Sequence, residues 1–130
     1  MVRLGLSILA AIGLAFACVV LVELFSAVVH PFPEGFTSTQ EEMCRHVERY
    51  PHWVLAVVVV AWWGTAFVSV FAARRLGNRA SGLVVSGLLF SALAFNVLML
   101  PYPMWFKAAT LATFPLASIA AIRTPERPVV

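Results

Sequence analysis

Glu23, Ser26 and His30 bring an acid, a hydroxyl and an imidazole together in the stretch "ELFSAVVHPFP". Their spacing is i, i+3 and i+7, so on a helix they share one face. Glu23 is the only carboxylate in the long apolar run that this stretch ends. An acid and an imidazole that both exchange protons, with a hydroxyl between them, suit the binding of a proton or of a small polar ligand. Asn96 and Lys107 lie at comparable depth in other apolar runs. Glu23, Ser26, His30, Asn96 and Lys107 are therefore expected to form one outward-facing polar pocket. The competing reading is structural: Glu23 hydrogen-bonds Asn96 or pairs with Lys107 and fastens helices together, because buried polar groups need partners.

Other chemistry is poorly provided for. His30, Cys44, His46, Glu48 and His52 are suitable metal ligands by type. Cys44 and His46 are two residues apart on an expected helix, however, and no zinc-like spacing occurs, so they are weak candidates and no metal is assigned. No histidine lies within a span to serve as an axial haem ligand, and no cofactor is assigned. The chain has no Asp, hence no Ser/His/Asp set, and it has no glycine-rich phosphate loop. No motif specifies a reaction, and the sequence leans away from an enzyme. The expected function is an accessory or self-associating membrane component. The alternatives are a small proton-coupled transporter using Glu23, or a membrane oxidoreductase or metal-binding partner using the outer His/Cys cluster.

The elements that would position these residues are membrane helices. Of the 130 residues, 62% are hydrophobic and 12% charged, and the mean hydropathy is +0.92. A soluble domain carries roughly 25% charged residues. Runs at about 4–29, 53–73, 80–100 and 104–122 have spanning length, since about 20 apolar residues cross a hydrocarbon core. The last is the weakest, holding Lys107, Thr110, Thr113, Pro115 and Ser118. Pro115 is expected to kink or weaken it. The expected fold is all-α: a polytopic membrane four-helix bundle forming a single domain, residues 1–130, with a short amphipathic helix in the first outer loop, 30–52. The apolar run continues too far past Ala15-Phe16-Ala17 for a cleaved signal peptide, so an uncleaved first span is expected.

The net charge of +3 is a topology signal and not a sign of nucleic-acid binding. With four spans, Arg3, Arg74, Arg75, Arg79, Arg123 and Arg127 fall on one side, and Arg45, Arg49 and Lys107 on the other. The positive-inside rule then puts both termini in the cytoplasm. The expected partners are the lipid bilayer and either a second copy of the chain or another membrane protein.

Within the outer loop, Thr39 and Glu42 have capping-box spacing. Glu41–Arg45 and Glu42–His46 are acid-first i, i+4 pairs, and Met43, Val47 and Tyr50 make one apolar stripe. The expected helix lies on the membrane surface or over the bundle. Aromatic residues at 32, 36, 50, 53, 102, 105 and 106 mark the outer boundary. Small residues at spacing four, such as Gly13/Ala17, Ala61/Thr65, Gly82/Ser86, Gly87/Ser91 and Ala108/Ala112, are candidate sites of close helix approach. Of the adjacent Trp62 and Trp63, one is expected to line the bundle and the other to meet lipid.

The pattern E-x-x-S-x-x-x-H-P-x-P closing span 1, Pro51-x-Trp53 opening span 2, and Asn96 followed by Pro101-x-Pro103-x-Trp105-Phe106 resembles an uncharacterised group of small bacterial four-span proteins. The resemblance covers most of the chain. It implies four helices and a bacterial inner membrane, and it implies no activity. Small multidrug-resistance transporters are similar in size and carry a glutamate in the first span, but Glu23 lies near the outer end and a long loop follows it. DoxX-like proteins share the size and span count without a matching motif.

The topology has a direct check. A membrane-impermeant thiol reagent applied to intact spheroplasts labels Cys44 and spares Cys18. A Cys44 that reacts only after lysis would invert the orientation.

Overall fold

In the computed structural model, which describes residues 1–125, the chain forms five helices. They are α1 (Val2–Val29), α2 (Gln40–Glu48), α3 (His52–Leu76), α4 (Arg79–Met99) and α5 (Met104–Arg123). All but α2 are long and apolar enough to cross a membrane, and α5 has the lowest mean hydropathy of these, 1.4. Arg127 lies outside the described residues.

Proline sets several helix ends. Pro31 disfavours the helical conformation of the residue before it, and His30 leaves the helix there (φ −144°, ψ 70°) while its N–H still donates to the Ser26 carbonyl at 2.8 Å. Pro51 and Pro103 directly precede α3 and α5. Asn78 opens α4 with a reciprocal capping box: its side chain accepts from the Ser81 N–H at 3.0 Å, and its own N–H donates to Ser81 Oγ at 3.3 Å. α5 continues through Pro115 as one helix.

The loop helix forms where the sequence expects it, with one addition at its cap. Thr39 caps α2 by accepting from the Glu42 N–H at 3.3 Å. The Glu42 carboxylate in turn accepts from the Thr39 N–H, as a capping box requires, although this is the weakest of its bonds. The carboxylate also reaches past the cap to the Thr37 N–H at 2.7 Å and hydroxyl at 2.6 Å, because Ser38 in a left-handed conformation (φ 60°) turns the chain back toward it. These bonds hold the Glu42 carboxyl below its usual range. Glu41 and Arg45 pair at 3.8 Å, whereas Glu42 and His46 form no ion pair. The inner face of α2 includes buried Val47 and half-buried Met43, with His46 as an additional buried member.

In the bundle, α3 packs against α1, α4 and α5, while α1 and α5 lie on opposite sides of it without close backbone approach. One end, the basic end, gathers the N-terminus, the α3–α4 turn and the C-terminal end of α5. There Arg3 Nε donates to the Leu76 carbonyl at 3.1 Å, and Arg74 donates to the Ala121 and Thr124 carbonyls. The opposite end, the loop end, carries α2. There Trp105 Nε1 donates to His52 Nδ1 at 2.9 Å, tying the start of α5 to the start of α3.

The two ends are packed differently. Toward the basic end the core is built from small side chains, among them Ala11, Ala73, Val85 and Ala121. Where apolarity alone does not drive association, such residues let helix backbones approach closely. Toward the loop end the core contains Leu55, Leu93, Phe106 and Phe114, with Phe90 and Tyr102 packed against it. Only some of the expected small pairs take part. Gly82 is buried, with the position of a Cβ 3.4 Å from the Val70 carbonyl oxygen, while Gly13 and Gly87 have nothing within 4 Å. Ala108 and Ala112 are exposed, and α1 instead buries Ser7, Ala11 and Ala15.

The tightest approach is at Gly77, where a Cβ would collide with the hydroxyls of Ser7 and Ser81, themselves hydrogen-bonded at 3.1 Å. Gly77→Ala should destabilise the bundle by about 1–3 kcal/mol, the usual penalty of overpacking. Gly13→Ala should stay within about 0.5 kcal/mol of the wild type. Thermal unfolding of both variants in detergent micelles, compared with wild type, tests the contrast.

Candidate functional site

Two cavities lie at the loop end, and the residues expected to share one pocket divide between them. The inner cavity, of about 40 Å³, is lined by Glu23 and Ser26 of α1, Trp62 of α3, Asn96 of α4, and Tyr50 and Tyr102 from the connecting segments. Glu23 lies about 9 Å below the end of α1 at 1.5 Å per residue. The cavity forms here because α1 and α4 are the least closely packed of the touching helix pairs. At the basic end Ser7 and Ser81 join them. At the loop end Glu23 and Asn96 flank the opening, and both are exposed.

Glu23 is not fastened. Among the described residues, its carboxylate makes no ion pair and accepts no hydrogen bond. Lys107 does not reach it, because α5 lies across α3 from α1. Lys107 is half-buried in the first turn of α5 and forms no ion pair among the described residues. Asn96 borders the same cavity without bonding the acid.

The phenols above the acid were legible only as boundary aromatics. Tyr50 is hydrogen-bonded by the Ser26 hydroxyl, and burial raises its phenol above the ordinary value, with the Glu23 charge adding to the effect. Burial, followed by the influence of Tyr50 and Glu23, pushes Tyr102 up to about 12. Both phenols stay neutral and able to donate hydrogen bonds at any ordinary pH. Trp62 is the indole that faces inward, while Trp63 is 42% exposed, as the helical angle between them requires.

His30 belongs to the outer cavity, about 270 Å³, which it lines with His46, Glu34, Glu42, Arg45 and Arg49. Its Nε2 contacts the His46 carbonyl oxygen at 3.1 Å, and the two imidazoles stack with centroids 4.3 Å apart. Phe32 also stacks on His46 at 4.4 Å. His30 and Tyr50 are in ring contact at 4.5 Å, which places Tyr50 between the two cavities. The other candidate ligands are elsewhere: Cys44 receives a weak contact from Gln40 at 3.8 Å, and His52 accepts from Trp105. Among the described residues no three His, Cys or Glu side chains gather into a metal-ligating cluster.

No protein-family model, curated protein or solved structure matches the chain. Its site is therefore read from its own geometry.

Burial, aided by the neighbouring His30, holds the His46 imidazole below its ordinary value of 6.5. A depressed histidine favours the folded state above the unfolded value, and that contribution is lost as pH falls through the folded one. Docking of α2 should therefore weaken as pH falls below about 6.5. A nitroxide on Cys44 should gain mobility over that range. In the His46→Phe variant, which keeps a ring in the stack, the change should be much smaller. An equal response in both would show that His46 is not the source of the sensitivity.

Proposed function

We propose that this chain is a small bacterial inner-membrane protein with both termini in the cytoplasm, working as an accessory or self-associating component. Its working site is the outward-facing polar cavity around Glu23. The observation that carries this reading is the unpartnered carboxylate: Glu23 lies within a membrane-spanning helix and borders a cavity, yet makes no ion pair or hydrogen bond among the described residues. An ionisable group at such depth is costly, and without a structural partner it is retained for what it binds. In this reading Glu23 takes up a proton or a ligand from the outer side, with Ser26, Asn96 and the two phenols supplying hydrogen bonds.

The orientation is supported by the clustering of Arg3, Arg74, Arg75, Arg79 and Arg123 at one end of the bundle. Proton-coupled transport is the second reading. It draws on Tyr50, which bonds Ser26 in the inner cavity and contacts His30 in the outer one.

A lipid-soluble carbodiimide, which attacks protonated carboxyls within the bilayer, tests the site. It should modify Glu23 in the wild-type protein. Glu23→Gln should not be modified there. Glu23→Ala should unfold within about 0.5 kcal/mol of wild type. A loss of about 1–3 kcal/mol in the alanine variant would instead mark the acid as a fastener, and an unreactive Glu23 at every pH would remove the proposed site.

A further inference from the structure

We infer that the inner cavity takes the primary ammonium group of a membrane-dissolved amine, with the amine's apolar tail leaving between α1 and α4. The inference rests on the reading of Glu23 as an unpartnered binding group and names its occupant.

Charge comes first. Glu23 is the cavity's only ionisable acid or base apart from the two phenols, which are neutral. Among the described residues no cation compensates it. Lys107 is on the far helix, and Arg45 and Arg49 line the outer cavity. The remaining walls favour a cation as well. Tyr50, Trp62 and Tyr102 present aromatic rings, whose electron-rich faces attract ammonium groups, most strongly where water is scarce. The Ser26 hydroxyl and the Asn96 amide oxygen can each accept an N–H, so the carboxylate and these two groups match the three donors of an –NH3⁺.

Size narrows the class. A volume of about 40 Å³ admits one to a few water-sized groups, since a single water needs about 10–15 Å³ of such space. An –NH3⁺ meets that limit and a trimethylammonium does not. The exit defines the rest of the molecule. Glu23 and Asn96 are both exposed at the gap between α1 and α4. One turn away on the same helix faces are Val20 and Ala27 of α1 and Ala92 and Met99 of α4, all exposed and all apolar. A hydrocarbon chain attached to the ammonium would lie along these positions, continuous with the lipid.

The test uses the full chain in phosphatidylcholine nanodiscs, with n-dodecylamine, dodecyltrimethylammonium and dodecanol as probes and tryptophan emission as the signal. Dodecylamine should give a saturable change that disappears in Trp62→Phe and weakens at least tenfold in Glu23→Gln. Dodecyltrimethylammonium and dodecanol should bind at least tenfold more weakly to the wild type. Equal binding of all three probes, or unchanged dodecylamine affinity in Glu23→Gln, would overturn the inference. Carbodiimide reactivity of Glu23, measured in the same discs without probe, separates the two levels. A reactive Glu23 that binds no amine overturns the occupant and keeps the site, and an unreactive Glu23 overturns both.

Discussion

The approach of α1, α3 and α4 at Gly77 governs the geometry of the rest of the bundle. With no side chain at that position, Ser7 and Ser81 meet beside it, and the helices start from a narrow base. Toward the loop end the buried valines and alanines are joined by Leu55, Leu93, Phe106 and Phe114, where the hydrophobic core at the basic end buries only alanine and valine. Larger side chains hold helices farther apart, which leaves room for a cavity at that end. α1 and α4, joined at the base, separate where Glu23 and Asn96 stand. The inner cavity is the space left by a packing gradient.

That gradient explains which polar groups are satisfied within the chain. At the basic end Arg3 and Arg74 donate to carbonyls at the ends of α3 and α5, where helices leave acceptors without intrahelical partners. At the loop end the acid is left with a cavity instead of a partner. The two ends thus divide the work: one holds the helices together, and the other keeps a carboxylate accessible.

The sequence made the architecture readable because long apolar runs, flanking prolines and the Thr39 cap each act locally. The spans and the loop helix needed no knowledge of distant contacts. The site was readable only in part. Glu23, Ser26 and Asn96 were identified by being polar within apolar runs, and they do border one cavity. Lys107 and His30 were grouped with them by depth alone, yet depth does not say which helices are neighbours. The placement of α5 across α3 separates Lys107 from Glu23, and the break at His30 turns the imidazole toward α2. Tyr50 and Tyr102 were hidden for the opposite reason: rings at a membrane boundary are ordinary, and nothing in their spacing distinguishes a cavity wall from a belt.

Tyr50 has a consequence that neither cavity reveals alone. One side of its ring meets the stacked histidines, and its hydroxyl meets Ser26 beside Glu23. Coupling between two sites through a shared group is reciprocal as a matter of thermodynamics. Any influence of His46 protonation on the Glu23 cavity would therefore be matched by an equal influence of that cavity on His46. A single tyrosine in the turn before α3 thus gives the stacked histidines and the Glu23 cavity a shared wall, so that a change at either one meets the same ring.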